Sequence, residues 1–299
     1  MFDDAEAEAV ATKAAGIRFA EKDRVSTCAL ADEIATSVIR QFRSVTEKKN
    51  NDAQSVLAGI VATTYHSQIE VISIATGNRF DQVKSSSSRR NNVRDCHAEV
   101  LARRAFKLWL INEWIKIQTK SGESSIFILS HHSKIVLKDG IKLFLYVSSA
   151  PCGNACIRKW GQPKKEIFRE DLGSFQLPED KHVIFHAHAK HEGQTALTYK
   201  GATNMLSCSD KILKWNVLGL QGSRLRELCE FPLKLDGIVI GRKFAHIHAR
   251  RAFCCRLDTK GVHPSLRSNV QHPVLMCSAI KFDEGAVAII NFTRCIRSG

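Results

Sequence analysis

Three short segments, far apart in the chain, each place a possible metal ligand at the expected start of a helix. Residues 95–99 read Asp-Cys-His-Ala-Glu, with a histidine two residues before a glutamate. Residues 151–155 read Pro-Cys-Gly-Asn-Ala, and residues 207–211 read Ser-Cys-Ser-Asp-Lys. In open α/β folds such side chains meet at the carboxyl ends of the strands, so these segments strongly constrain the topology.

Strand-like and helix-like segments alternate around these motifs. Apolar residues spaced four apart predict an amphipathic helix over Ser26–Val45, with Asp95 and Pro151 expected to begin later helices. The continuous apolar run Leu143–Val147 is typical of a strand buried on both faces. The alternation predicts α/β architecture with a central sheet covered on both sides. The remaining expected elements are strands at Val56–Thr64, Ile69–Ala75, Ile126–Leu129, Lys134–Leu137, His182–Phe185, Leu235–Ile240 and Val287–Asn291, and helices at Cys96–Ile117, Cys208–Val217 and Lys243–Cys255.

Composition favours a globular protein with a polyanionic partner. The 299 residues are 44% hydrophobic and carry a formal net charge of +14, for which nucleic acid is the leading partner. The basic run Lys84–Asn92 is either a solvated loop or a phosphate contact. Ten cysteines, the absence of a signal-like start and the lack of a long apolar run predict a reducing, intracellular location, in the nucleus or cytoplasm, with no membrane contact.

The donor residues are those of a catalytic zinc site, which has three protein ligands and one open position. His97 and Cys152 supply two ligands, and the His-x-Glu and Pro-Cys pair is typical of zinc-dependent nucleobase deaminases. The third ligand is either the local Cys156 or the distant Cys208, and the residues alone favour Cys208 only modestly.

Glu99 is the candidate catalytic residue. It is placed to take a proton from the attacking water and to pass it to the base and the leaving ammonia. The alternative is a structural zinc site with Glu99 as an ordinary acidic residue at a helix start. The widely spread ligand set favours catalysis, because structural sites more often use close Cys or His pairs.

The three motifs, with the long block Ser207–Gly222, resemble the adenosine deaminases acting on RNA and the related tRNA-specific adenosine deaminases. The resemblance implies a three-layer α-β-α, cytidine-deaminase-like domain with a central mixed sheet. It implies zinc ligation by His97, Cys152 and Cys208, not Cys156, and proton transfer by Glu99. The implied reaction is hydrolysis of adenosine to inosine within RNA.

The resemblance also implies a buried inositol hexakisphosphate. The resemblance assigns several basic residues to its pocket, and without the resemblance the simpler interpretation would be that these residues face solvent. The family chains continue past the position of Gly299, and we expect this chain to lack the residues that complete the pocket there. The matching positions are Arg103, Arg104, Lys211, Lys214, Trp215, Gly222 and Ser223.

The expected substrate is an adenosine in the anticodon loop of a tRNA, with tRNA-Ala as the first candidate. A compact segment before Ser207 and little sequence before residue 26 favour that branch, because no separate double-stranded-RNA-binding module is expected. The alternatives are a catalytically silent RNA-binding relative, an editor of double-stranded RNA and a deaminase of free nucleosides. We expect one domain over residues 1–299, with 1–25 as a loose arm, and no obligate protein partner.

Overall fold

A six-stranded mixed sheet forms the centre of the fold in a computed structural model of the chain. In order across the sheet, its strands are β10 Asn291–Thr293, β2 Ile69–Thr76, β1 Leu57–Thr63, β7 Lys142–Val147, β8 Gly237–Ile240 and β9 Val274–Cys277. Strand β1 pairs antiparallel with β2 and β7, whereas β7, β8 and β9 run parallel to one another. The described residues are 21–46, 55–64, 68–80, 95–156, 207–255, 269–282 and 291–293.

Four α-helices, two 3-10 segments (Asn154–Cys156 and Ser223–Leu228) and two small hairpins complete the described elements. The two hairpins each consist of one antiparallel strand pair. The helices are α1 Glu21–Val45, α2 Ala98–Gln118, α3 Cys208–Leu218 and α4 His246–Phe253. The hairpin strands are β3 Asn78–Phe80 with β4 Asp95–His97, and β5 Phe127–Leu129 with β6 Ile135–Leu137.

Helix α1 covers one face of the sheet. Its apolar residues recur every three or four positions, and they pack on side chains from β1, β2, β7, β8 and β9. Phe42 meets Phe282 edge to face, with ring centroids 5.1 Å apart. Asp32 accepts hydrogen bonds from Ser278 and Ala279 just after β9. The buried positions of α1 are Ala31, Ile34, Ala35, Val38, Ile39 and Phe42.

The other three helices cover the opposite face. Helix α2 contributes Leu101, Phe106 and Leu110 to this second core, and α3 and α4 contribute Ile212 and Phe253. The strands alternate accordingly, with neighbouring residues of β1 directed to opposite cores. The three-layer α-β-α architecture with a central mixed sheet is therefore confirmed.

Several element boundaries differ from those predicted. Helix α1 begins at Glu21 rather than Ser26, and where a helix was expected to start at Pro151 the described residues, which here end at 156, form a 3-10 turn at Asn154–Cys156. Strand β9 was not predicted, because its four residues show no alternation and only one of them is fully buried. The basic run Lys84–Asn92, the expected strand His182–Phe185, most of the expected strand Val287–Asn291 and most of the expected N-terminal arm lie outside the described residues.

Candidate active site

His97 is held at a strand-to-helix junction. It is the last residue of β4, where it pairs with Asn78 of β3, and helix α2 begins at the next residue. The amide of Ala98 donates to the carbonyl of Gly77 at 2.9 Å. A side chain at Gly77 would reach within 1.9 Å of the Cys96 carbonyl oxygen, so the turn after β2 fits closely against β4. These contacts fix the backbone from which the imidazole projects.

Asp95 orients the His97 ring rather than capping the helix. Its carboxylate lies 2.7 Å from Nδ1 of His97, and it also accepts the His97 backbone amide at 3.1 Å. The helix N-cap is His97 itself, so the predicted capping role of Asp95 was wrong. Lys211 of α3 forms an ion pair with the same carboxylate. Since Nδ1 is engaged, Nε2 is the nitrogen left for a metal, as in carboxylate–histidine–zinc arrangements.

Neighbouring charges and hydrogen bonds shift the pKa values of Asp95 and His97. Burial alone would raise the pKa of Asp95, but the hydrogen bond from His97 and the charge of Lys211 hold it at about 2. Burial alone would lower the pKa of His97, but hydrogen bonds to Asp95 and Cys152 raise it to about 10. The imidazole therefore stands among negatively charged groups.

Cys152 follows the carboxyl end of β7. The connection from β7 is anchored by Ser148, which exchanges hydrogen bonds with Leu57, and by Ala150, whose amide donates to the carbonyl of Arg242 after β8. Parallel strands β7 and β8 thus end together at the edge of the sheet where the cysteine lies. This is the position at which α/β folds usually build their sites.

The N-terminus of α3 closes on the Cys152 turn. The amide of Cys208 donates to Sγ of Cys152 at 3.3 Å, and the amide of Ser209 donates to the Cys152 carbonyl at 2.9 Å. Ser207 caps the helix in a reciprocal capping box with Asp210. An amide and the positive end of a helix both favour the thiolate form of cysteine.

The three predicted metal ligands come together in space. Candidate ligand atoms of His97, Cys152 and Cys208 all lie within 4.8 Å of one another. Two thiolates and one imidazole are a donor set that suits zinc, and three protein ligands leave a fourth position open. Cys156, the local alternative, is in the 3-10 turn and is not part of this cluster. The residues present therefore fit a catalytic zinc ion.

Glu99 lies beside this cluster in the first turn of α2. Glu99 is only 3% exposed, and Cys208 is among the groups that influence its pKa. Burial raises the pKa of Glu99, although the nearby charge of His97 opposes the shift. A buried carboxyl group with a raised pKa next to candidate metal ligands has the properties of a group that both accepts and returns a proton.

Four of the seven positions predicted for inositol hexakisphosphate line one region between α2 and α3. Arg103 stacks on Trp215, with 5.0 Å from its guanidinium carbon to the ring centroid, and its Nε donates to the Leu220 carbonyl at 2.8 Å. A side chain at Gly222 would meet the Arg103 guanidinium at 2.7 Å. Lys211 is one turn from Trp215 and is bound to Asp95. Arg103 and Lys211 thus lie on the helices that carry Glu99 and Cys208, and Lys211 is linked to His97 through Asp95.

The other three positions, Arg104, Lys214 and Ser223, are exposed in the described part of the chain. Burial lowers the pKa of Arg103 to about 10. Burial and the charges of Arg103, Arg224 and Arg104 also lower the pKa of Lys107. Lys107 and Arg224 were not assigned to this region from the sequence. Lys107 could have been found, because it lies four residues after Arg103 on the same helix face.

No carboxylate among the described residues forms an ion pair with Arg103. A largely buried guanidinium without an acidic partner is costly unless an anion binds it. The residues present therefore fit a polyanion.

The fold and the arrangement of His97, Glu99, Cys152 and Cys208 are those of the nucleobase deaminase class. The family model of the adenosine-deaminase (editase) domain matches residues 73–287, more than half of the chain. The chain belongs to that family.

The curated relatives are named for two kinds of RNA substrate, double-stranded RNA and tRNA. The chain is 30% identical to the double-stranded RNA-specific adenosine deaminase of Mus musculus over 264 residues, which are 81% of this chain and 22% of that protein. It is 30% identical to the double-stranded RNA-specific editase Adar of Drosophila melanogaster, over 83% of this chain and 39% of that protein.

The tRNA-specific adenosine deaminase 1 of Saccharomyces cerevisiae is 28% identical, over 71% of this chain and 58% of that protein. The chain thus spans between about a fifth and three fifths of the length of these three relatives. Within the described residues, no helix combines the length and apolarity needed to cross a bilayer.

Proposed function

We propose that this chain is a zinc-dependent deaminase that hydrolyses adenosine to inosine in RNA. The observation that carries the proposal is the convergence of His97, Cys152 and Cys208 within 4.8 Å, with the buried Glu99 beside them. A structural site closed by four protein ligands would have no open position for a water molecule, whereas three ligands with a buried carboxyl group beside them leave room for one. The match to the editase domain supports the same reaction.

Each site residue has a distinct task in this reaction. Zinc at the cluster would lower the pKa of a water molecule and so provide a nucleophile at neutral pH. Glu99 accepts one proton from the attacking water and gives it to the ring nitrogen. It then transfers the remaining proton of the new C6 hydroxyl group to the amino group, which leaves as ammonia. Asp95 holds the His97 ring with Nε2 free, and the Cys208 amide stabilises the Cys152 thiolate.

The proposed substrate is an adenosine of the tRNA anticodon loop, with tRNA-Ala as the first candidate. A loop base is already partly unstacked, so moving it into a site costs less than from a duplex. Relatives named for tRNA support this choice. The net charge of +14 supports contacts to an RNA backbone.

Double-stranded RNA is a second candidate, which a specific observation favours. Relatives named for double-stranded RNA match a larger share of the chain, 77–83%, at 30–31% identity. Those named for tRNA match 50–71% at 26–28%. The two proposals predict inosine in different RNAs, so one enzyme preparation can be tested on both.

We also propose that inositol hexakisphosphate binds behind the site. Arg103 and Lys211 would contact its phosphates from α2 and α3, with Arg104, Lys214 and Ser223 at the rim. Phosphates there would offset the repulsion among the cations that surround Lys107.

The test compares wild-type protein with Glu99→Gln and a matched control, Glu113→Gln, on the same helix. Each protein is loaded with zinc, assayed for metal content, and incubated with transcribed tRNAs and with a long RNA duplex. Inosine is detected as A-to-G changes on sequencing. We expect wild type and Glu113→Gln to form inosine, and Glu99→Gln to retain zinc but lose activity by about 10²-fold or more.

The outcome also decides between the substrates. Inosine at one anticodon-loop position supports the tRNA proposal, whereas inosine at many duplex adenosines supports the second candidate. Zinc-loaded wild-type protein that forms no inosine in either RNA would contradict the proposed function.

A further inference from the structure

A second cluster of metal-binding residue types lies where α4 ends. Candidate ligand atoms of Cys254, Cys255 and His272 all lie within 4.8 Å of one another. The two sulfurs are 3.5 Å apart, and Sγ of Cys255 is 3.7 Å from Nδ1 of His272. Cys254 is buried, Cys255 is half-buried and His272 is exposed, so an ion could enter from the surface.

These spacings agree with the edges of a tetrahedral zinc site. Zinc–sulfur bonds of about 2.3 Å and zinc–nitrogen bonds of about 2.0–2.1 Å place two sulfurs about 3.8 Å apart, and a sulfur and a nitrogen about 3.5 Å apart. The observed separations of 3.5 and 3.7 Å differ from these values by only about 0.3 Å or less. We propose that Cys254, Cys255 and His272 bind a second zinc ion, which stabilises the fold.

The surroundings favour ligands over an inert thiol pair. Nε of Arg250 donates to Sγ of Cys255 at 3.1 Å, and a guanidinium beside sulfur favours the thiolate that metals bind. The two cysteines are not joined by a disulfide bond. Thiolate and imidazole together select zinc over magnesium or calcium, which bind oxygen ligands.

The second cluster is separate from the candidate active site, but both are tied to α3. The side-chain amide of Asn216 donates to the carbonyls of Phe253 and Gln271, and its oxygen accepts the Gln271 amide. The residues that follow these two partners are Cys254 and His272. Asn216 is eight residues after Cys208, which is about 12 Å along a helix. An ion at the second cluster would therefore fasten the far end of the helix that supplies Cys208.

Metal content of single variants tests the proposal without reference to activity. Proteins are purified with reductant, dialysed against metal-free buffer and analysed for zinc. We expect about two zinc ions per wild-type chain, one in Cys152→Ser, one in Cys255→Ser, and none when both are changed. Cys277→Ser, at an exposed cysteine outside both clusters, is the matched control and keeps two.

Two further measurements guard against a variant that fails to fold. His272→Ala removes only an exposed imidazole and should also lose one zinc ion. In the Cys152→Ser protein, added cobalt(II) should give a thiolate-to-metal charge-transfer band, which Cys255→Ser abolishes. A zinc content that neither Cys255→Ser nor His272→Ala lowers would overturn the proposal. So would a Cys254–Cys255 disulfide, detected by mass spectrometry in freshly reduced and desalted protein.

Discussion

Gly153 allows the two cysteine-bearing segments to meet, and replacing it with alanine should separate them. Its φ of +98° lies in the region that favours glycine. A methyl group there would come within 2.2 Å of Oγ of Ser207 and 2.6 Å of its Cβ. Ser207 cannot move away cheaply, because its side chain accepts the Asp210 amide and caps α3.

The cost of Gly153→Ala can be estimated from two parts. A non-glycine residue in such a backbone conformation costs about 1–3 kcal/mol. Loss of the Ser207 cap costs about 0.5–2 kcal/mol. Together these destabilise the protein by roughly 1.5 to 5 kcal/mol, a large share of the roughly 5–15 kcal/mol by which domains are typically stable. Because Cys152 and Cys208 flank the displaced atoms, zinc affinity should fall as well.

Urea unfolding of wild type, Gly153→Ala and the control Gly122→Ala checks this reasoning. The control should stay within about 0.5 kcal/mol of wild type, because its added methyl group meets only the flexible end of Lys116. With chelator present, Gly153→Ala should lose stability by strain and the cap alone, and with zinc the difference should widen. If Gly153→Ala unfolds at the wild-type midpoint in both conditions, the close approach does not control the site.

Two further predictions concern the charges behind the cluster. Asp95→Asn should weaken zinc binding about 10- to 100-fold, because the His97 ring loses its anionic partner, and competition with a chelator measures the loss. Asp139→Asn, at an exposed turn, should bind zinc as wild type does, and equal affinity in both variants would refute the role of Asp95. Inositol hexakisphosphate should raise the melting temperature of wild type and of the control Arg226→Gln, in which an exposed arginine is changed. Arg103→Gln should bind it at least about 10-fold more weakly. An identical response in all three proteins would argue against binding at Arg103.

Local patterns in the sequence were enough to predict the layers of the fold. The spacing of Ile34, Val38 and Phe42 predicts a helix with one buried face, and all three are buried against the sheet. Leu143–Val147 predicts a strand buried on both faces, and β7 is in the interior of the sheet. Both depend on periodicity, which follows directly from helix and strand geometry.

Contacts between distant segments could not be predicted in this way. Asp95 suggested an N-cap because it precedes an apolar helix, but the carboxylate turns instead to His97 and Lys211. The choice depends on where α3 lies, 116 residues further along the chain. The choice between Cys208 and Cys156 as third ligand also could not be made from residue spacing alone. Cys156 is only four residues from Cys152, and the residues favour Cys208 only modestly. The structure supports the proposal of Cys208, since the capped end of α3 brings it to Cys152.

Helix α3 connects the candidate zinc site, the cationic region and the second cluster. Cys208, Lys211 and Trp215 follow one another at intervals of three and four residues, so they lie along one face of the helix. They reach Cys152, Asp95 and Arg103 respectively, while Asn216 fastens the helix to residues 253 and 271. A helix of 11 residues is marginal by itself in water, so its position depends on these partners. An anion bound near Lys211 and zinc ions bound at the two ends of α3 would all stabilise this helix. Each bound ion should therefore hold α3 in the position that the other two sites require.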